Sequence, residues 1–260
     1  MIDRTIVPGG LDAFGTATAA ALIIGGYLVL AEPYVGLVLH RRFEAAERRY
    51  ADARRWLYRR ILLLEWVLAG LCVAVVVMAP GLNAASLGVR SPDGSLGIAI
   101  TVGAALGALA LVVSTARQVA RGGVDAELPL GGDAVLAMLP RTPVERRLFA
   151  MVSVTAGICE ELVFRGFLIA LTAALIPSAP VWVCALIAAV AFGLAHLYQG
   201  ATGIVATFVM GGVLGALYVV TGSLIAPIAV HALIDLRALP LSRLAPSRHH
   251  ESSQDPPSRR

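Results

Sequence analysis

Long apolar runs alternate with short charged connections along this chain. A helix needs about 20 apolar residues to cross the hydrocarbon core of a bilayer. Runs of that length predict seven spans, near residues 14–39, 61–80, 96–116, 146–175, 180–198, 203–221 and 223–239. The last two are separated by little more than Gly222, so six or eight spans are the alternatives. The pattern therefore predicts an all-α polytopic membrane protein with about seven transmembrane helices.

The placement of arginine predicts the orientation. The segment 40–60, HRRFEAAERRYADARRWLYRR, carries eight arginines, and the connection 117–147 carries five more. By contrast, the connections 81–95 and 176–179 contain a single arginine between them, Arg90. The C-terminal tail adds Arg243, Arg248, Arg259 and Arg260. Because arginine and lysine concentrate on the cytoplasmic side, we expect the N-terminus outside and the C-terminus in the cytoplasm.

The composition excludes an ordinary soluble domain. Hydrophobic residues make up 58% of the 260 residues and charged residues 15%, against about 25% charged in globular domains. Every strongly basic side chain is arginine, since the chain contains no lysine. With its many alanines and glycines, this usage is typical of a GC-rich bacterial genome. We therefore expect an integral protein of a bacterial inner (cell) membrane, in contact with the lipid bilayer and with no nucleic-acid partner.

Three regions follow from these features. Residues 1–139 hold spans one to three with their Arg-rich loops, and residues 140–240 hold spans four to seven, where the candidate chemistry lies. Residues 241–260 are polar and rich in proline and serine, so they are predicted to be disordered. The second region opens with a helix-start signal, because Thr142, Pro143 and Glu145 together form a capping box with proline at the first position.

The fourth span carries three charged residues in the stretch GICEELVFRGF (157–167). Glu161 and Arg165 are four residues apart with the acid first, which is the order that favours an intrahelical ion pair. Glu160 points about 100° away from Glu161 on an α-helix and has no partner in its own segment. It therefore requires a partner from another helix, a water molecule or a proton.

Candidate partners lie in later spans. His196 follows Phe192 by one helical turn, and His231 and Asp235 lie on one helix face at i and i+4. Taken singly, His196 reads as an interfacial residue and the His231–Asp235 pair as a helix-stabilising contact. Taken with the unpaired Glu160, groups on three separate spans predict one shared polar pocket.

Other polar side chains in the spans are assigned no chemistry. Glu65 and Arg237 lie near the ends of spans two and seven and are expected to face the cytoplasmic headgroups. Cys159 is expected to face a different side from the glutamates and has no clear base. Water is thus the predicted nucleophile: a carboxylate can take its proton, histidine can orient it, and further polar groups can hold the oxyanion.

These residues form three motifs in a fixed order. Glu160, Glu161 and Arg165 fit EExxxR, Phe192 and His196 fit FxxxH, and His231 and Asp235 fit HxxxN/D. In this order inside membrane spans, the motifs resemble those of the CPBP family, which comprises CAAX proteases and bacteriocin-processing enzymes. This family is related to the Ras-converting type of CAAX protease. The resemblance covers roughly residues 140–240.

The resemblance implies a helix bundle around a membrane-embedded site that opens to the cytoplasmic side. It implies that Glu160 is the general base on water, assisted by His196, and that His231 and Asp235 occupy the positions of oxyanion stabilisation. The same resemblance gives supporting roles to Glu161, Arg165 and Phe192.

One position departs from the pattern, because the prenyl-protein proteases typically carry asparagine where this chain has Asp235. An ionised aspartate would repel an oxyanion, so Asp235 would be protonated, would orient His231 or would bind a metal. Glu160, His196, His231 and Asp235 could together supply a site for a divalent metal such as zinc. The chain has no HExxH motif, and the two alternatives, metalloprotease and metal-independent glutamate protease, both stay open.

The predicted function is therefore that of an intramembrane endopeptidase that hydrolyses a membrane-associated peptide or protein. A prenylated substrate is not expected in a bacterial host. One alternative is a non-catalytic scaffold or immunity-type binding protein that keeps the same pocket. A proton-coupled carrier is the other, although the halves of the chain show no inverted repeat.

Overall fold

The computed structural model describes residues 7–122 and 132–242, and all of the regular structure in these ranges is helical. The α-helices are α1 (Thr18–Gly26), α2 (Glu32–Glu47), α3 (Ala53–Met78), α4 (Gly94–Ala120), α5 (Gly132–Met138), α6 (Pro143–Glu160), α7 (Ile169–Leu175), α8 (Val181–Ala195), α9 (Gly200–Thr221), α10 (Ile225–Leu236) and α11 (Ala238–Leu241). Two π-helical segments, Tyr27–Ala31 and Glu161–Leu168, join α1 to α2 and α6 to α7. Short 3₁₀ turns lie at Leu11–Ala17, Ala84–Leu87 and Leu197–Gln199. The prediction of an all-α polytopic membrane protein is confirmed.

Each predicted span coincides with a helix or with a continuous run of helices. The first two are longer than predicted, because α2 continues to Glu47 and α3 begins at Ala53. The Arg-rich 40–60 segment is therefore helical apart from one short turn. The tail 241–260, which was predicted to be disordered, lies almost entirely outside the described residues.

Four of the described helices are long and apolar enough to cross a membrane: Leu11–Glu47, Ala53–Met78, Gly94–Ala120 and Leu197–Thr221. Val181–Ala195 is apolar but shorter. Helix α6 is not among the four, because charged residues at both of its ends interrupt the apolar run. The count of seven spans and the orientation of the termini stay predictions.

Helix α6 begins where the capping signal placed its start. The Thr142 hydroxyl accepts a hydrogen bond from the Glu145 amide at 3.2 Å, and the Glu145 carboxylate accepts one from the Thr142 amide at 3.0 Å. Pro143 occupies the first turn, where its missing amide hydrogen removes no helical hydrogen bond. The reciprocal cap satisfies amide groups that the helix itself cannot pair, and it fixes the start of the helix that carries Glu160.

A short helix that the sequence analysis did not predict, α5, lies in the connection between α4 and α6. The Tyr58 hydroxyl donates a hydrogen bond to the Met138 carbonyl at 2.5 Å, and Arg54 Nε donates one to the Ala137 carbonyl at 3.0 Å. Arg54 is itself buried and also pairs with Glu47. These contacts fasten α5 against the ends of α2 and α3. Two of the arginine-rich segments therefore meet at one end of the bundle.

Helices α6 and α10 cross at Gly157. A Cβ atom at this position would lie 2.9 Å from Ala232 Cβ and 3.1 Å from the Ile228 carbonyl oxygen, so only glycine permits the approach. The crossing lies one turn before the glutamates of α6 and beside His231 of α10. It therefore brings two distant parts of the chain close enough for their polar side chains to bond.

Candidate active site

The two adjacent glutamates lie at a change of helix type. Glu160 is the last residue of α6, and Glu161 is the first residue of the π-helical segment that ends at Leu168. A π-helix has wider turns than an α-helix, and short π segments frequently occur at functional sites. The sequence analysis had assumed α-helical geometry here. The π segment leaves Glu160 at the cavity surface and buries Glu161 completely.

Glu161 and Arg165 form the ion pair that the spacing predicted. Arg165 Nη1 donates to Glu161 Oε1 at 2.8 Å, and both residues are at most 1% exposed. Arg165 Nη2 donates to the Gly211 carbonyl at 3.3 Å, and the guanidinium carbon lies 4.2 Å from the centre of the Phe192 ring. A buried guanidinium is stable only when it is paired and hydrogen-bonded, and these contacts meet that requirement.

Glu161 also binds His231, which the sequence analysis had not predicted. His231 Nδ1 lies 2.6 Å from Glu161 Oε1, and the residue as a whole is 2% exposed. A carboxylate paired with arginine is ionised and only accepts hydrogen bonds, so Nδ1 is the donor. The Phe192 ring meets the imidazole edge to face at 5.9 Å. Glu161 and Phe192 together fix the orientation of His231.

The other ring nitrogen of His231 faces two carboxylates. His231 Nε2 lies 3.8 Å from Glu160 Oε2 and 3.8 Å from Asp235 Oδ2. Both distances exceed that of a direct hydrogen bond. The Glu160 and Asp235 side chains are 23% and 33% exposed, whereas that of His231 is 3% exposed. The two carboxylates are therefore the accessible members of this group.

His196 lies at the end of α8, where the helix gives way to the 3₁₀ turn Leu197–Gln199. Its Nδ1 lies 2.8 Å from the Phe192 carbonyl oxygen, which can only accept a hydrogen bond. Nδ1 is therefore the donor, and in the neutral ring Nε2 keeps its lone pair. The ring also packs against Phe192, 4.8 Å between centroids. The FxxxH spacing thus sets both the position and the tautomer of this histidine.

One cavity holds the four residues predicted to carry the chemistry. Its volume is about 810 Å³, and Glu160, His196, His231 and Asp235 all line it. Most of the remaining lining is apolar. The cavity also reaches Leu39, His40, Leu57 and Val135, so it extends to the end of the bundle where the arginine-rich segments meet.

Comparison with known families identifies the segment that carries this site. Residues 144–237 match the Rce1-like family model, described as type II CAAX prenyl endopeptidase Rce1-like. This segment is therefore similar to the Rce1-like family. The resemblance to CAAX proteases that the three motifs predicted is confirmed at the level of the family. Comparison with curated proteins and with solved structures gave no significant match.

The structure places three further residues in the wall of this cavity. Glu65, which was expected to face the headgroups, lines the cavity where α3 packs against α6. Arg237 also lines the cavity, and its Nε donates to the Thr115 hydroxyl at 2.8 Å. Cys159 lies in the same wall as Glu160, although it is itself buried.

Two further polar residues of the cavity were missed from the sequence. Glu32 lies inside the first apolar span, and it lines the cavity together with Tyr27. The signal for Glu32 was an acidic residue followed by Pro33 in the middle of an apolar run. Tyr198, next to the FxxxH motif, also lines the cavity and accepts a hydrogen bond from Gln199 at 3.1 Å.

The cavity of the Rce1-like segment does not present a ready metal site. Within residues 7–122 and 132–242, no three His, Cys, Asp or Glu side chains are grouped in a way that could hold a metal ion. The Nδ1 atoms of His196 and His231 are both engaged in hydrogen bonds, so Nε2 is the atom of each ring that could bind a metal. A metal held by Glu160, His196, His231 and Asp235 stays a prediction, and no step below is routed through a metal.

Proposed function

We propose that this protein is an intramembrane endopeptidase that hydrolyses a peptide bond in a membrane-associated peptide or protein. The family match supports an intramembrane peptidase, and the observation that carries the finer proposal is the shared cavity. Glu160, His196, His231 and Asp235 come from three separate helical segments and line it together. A site in which a base, a second histidine and an oxyanion donor surround one space suits attack by water on an amide.

Glu160 and His196 act on the water in this proposal. The Glu160 carboxylate takes a proton from water as the oxygen attacks the carbonyl carbon, and the lone pair on His196 Nε2 orients the same water. The tetrahedral intermediate then collapses, the carbon–nitrogen bond breaks, and Glu160 returns the proton to the departing amine. Water supplies the hydroxyl of the new carboxyl end and the hydrogen of the new amine.

His231 holds the oxyanion as an imidazolium. In the protonated ring both nitrogens donate, so Nδ1 stays bonded to Glu161 while Nε2 points into the cavity. The carboxylates of Glu160, Glu161 and Asp235 all lie within 3.8 Å of a ring nitrogen and favour the charged ring. This role explains an aspartate at position 235: it stabilises and orients His231 and does not itself contact the oxyanion.

We further propose that the protein lies in a bacterial inner membrane with the cavity open to the cytoplasm. The cavity extends to the end of the bundle that carries the arginine-rich segment 40–60, which the positive-inside rule assigns to the cytoplasm. The family description refers to prenyl endopeptidases. In a bacterial host we expect substrates that are membrane-associated without a prenyl group.

The test compares membrane-fraction peptides from cells that carry the wild type or Glu160→Gln, with new chain ends identified by mass spectrometry. Glutamine keeps the size and polarity of the side chain but cannot take the proton. Chain ends that form only with the wild type support the peptidase and identify its substrate. Identical chain ends, from two proteins equal in abundance and thermal stability, would contradict it and favour the non-catalytic scaffold.

A further inference from the structure

Glu65 places a carboxylate in the cavity that the proposed hydrolysis does not use. Its Oε2 atom is shielded from solvent and has no hydrogen-bond partner among the described residues. An unpaired buried carboxylate oxygen is costly, because neither water nor protein replaces its lost hydration. In a chain with only 15% charged residues, a carboxylate held this way in a cavity wall points to a ligand that would pair with it.

A second carboxylate lies close to it. Glu32 of α2 lines the same cavity, as do Glu160 and Asp235. The four carboxylates therefore face one shared space. We call Glu32 and Glu65 the acidic wall; α2 and α3 provide it, outside the Rce1-like segment.

The charge balance of the cavity favours a cation. Four carboxylates line it, from Glu32, Glu65, Glu160 and Asp235. They outnumber the two cations among the described lining residues, which are Arg237 and the His231 imidazolium proposed above. The buried guanidinium of Arg165 is committed to Glu161. Like charges that share a space of low dielectric repel one another, and an ammonium or guanidinium group that enters the space converts the repulsion into attraction.

The geometry points to a substrate with a lysine or arginine next to the scissile bond. We propose that the acidic wall binds this cationic side chain, with Glu65 as the direct partner and Glu32 as a second charge. The remaining apolar lining accepts the neighbouring apolar residues of the substrate, and about 810 Å³ is room for several side chains. This inference rests on the proposed peptidase function and specifies the class of peptide that the site accepts.

The first experiment measures binding, which does not require turnover. The full-length protein in neutral phosphatidylcholine nanodiscs is mixed with an equimolar library of apolar dodecapeptides in which one position carries lysine or its uncharged analogue norleucine. Peptides retained on the protein are quantified by mass spectrometry, with empty nanodiscs subtracted. In the wild type we expect lysine peptides to be enriched over norleucine peptides. In Glu65→Gln this enrichment should fall about tenfold, because that is the size of effect expected when one hydrogen bond to a charged group is lost.

Two further variants make the result specific. Glu44→Gln, a glutamate on α2 whose side chain is 46% exposed and lies outside the cavity, should keep the wild-type enrichment. Glu65→Lys should reverse the preference towards peptides that carry glutamate. Equal retention of the lysine and norleucine peptides by the wild type, or an unchanged ratio in Glu65→Gln, would overturn the proposal.

Cleavage of the same library separates this inference from the proposed function. If the wild type binds lysine peptides through Glu65 but produces no new chain ends, the acidic wall is supported and the peptidase proposal fails. If the wild type cleaves the lysine and norleucine peptides at the same rate, the peptidase is supported and the acidic wall is contradicted.

Discussion

His231 and Glu161 are 70 positions apart in the chain, and their side chains meet at 2.6 Å in the interior of the bundle. The same oxygen of Glu161 also accepts a hydrogen bond from Arg165. The buried Glu161 carboxylate therefore neutralises Arg165 in its own π-helical segment and orients His231 in α10. The ion pair that looked purely structural in the sequence is part of the support of the site.

Removing this carboxylate should damage both stability and activity. Glu161→Ala leaves Arg165 buried with the Gly211 carbonyl as its remaining hydrogen-bond partner, and breaking a buried ion pair costs about 3–5 kcal/mol of unfolding free energy. We expect a clear fall in melting temperature in detergent together with loss of cleavage. Glu44→Ala removes a half-exposed carboxylate outside the cavity and should melt like the wild type. A Glu161→Ala protein with wild-type melting would contradict the role of Glu161 described here.

Adding one methyl group at the crossing of α6 and α10 should be destabilising. In Gly157→Ala the new Cβ would meet Ala232 and the backbone of Ile228, so the helices must separate. We expect a loss of about 1–3 kcal/mol, typical of overpacking, and reduced cleavage because Glu161 and His231 move apart. Gly107→Ala is the matched control, since no atom lies within 4 Å of its added Cβ. Equal melting temperatures for the two variants would argue against a tight crossing at Gly157.

Replacing Asp235 by asparagine tests how His231 is used. The amide keeps a hydrogen-bonding group near His231 Nε2 but removes one of the charges that favour the imidazolium. We expect turnover to fall about tenfold, or ~1.4 kcal/mol in the barrier, with little change in melting temperature. The measurement is kcat on a substrate identified from the membrane fraction. Asp235→Asn turning over faster than the wild type would mean that residue 235 donates directly to the oxyanion.

Metal removal tests the remaining alternative for the chemistry. Because the described donors are not grouped as a metal site, we expect purified enzyme treated with a chelator to keep its cleavage rate. Zinc added afterwards should not increase the rate. Loss of activity on chelation and recovery with zinc would instead favour the ligand set of Glu160, His196, His231 and Asp235.

Features that depend on nearby residues could be predicted from the sequence. The cap formed by Thr142 and Glu145, the Glu161–Arg165 pair and the positions of the helices all follow from local spacing and apolar length. The three motifs also sufficed to identify the family. The roles of Glu160, His196, His231 and Asp235, and the division of the chain at residues 139 and 240, stay predictions.

Features that depend on how helices pack could not be read from the sequence. The Glu161–His231 contact requires the close crossing at Gly157, and the inward position of Glu65 requires α3 to lie against α6. The π-helical register after Glu160 has no sequence signature in this stretch. Glu32 was missed for a different reason: it lies outside the three motifs, although its place in an apolar run marked it as unusual.

The shared carboxylate of Glu161 also bears on how related sequences should be read. Glu161, Arg165 and His231 contact one another in the folded protein, so a relative that had lost its activity would still be destabilised by the loss of any one of them alone. Their presence alone then identifies the architecture and not the activity. Glu160 and His196 are under no such demand, because neither completes the buried ion pair. A relative that lacks either residue is the natural place to look for a member that binds without cutting.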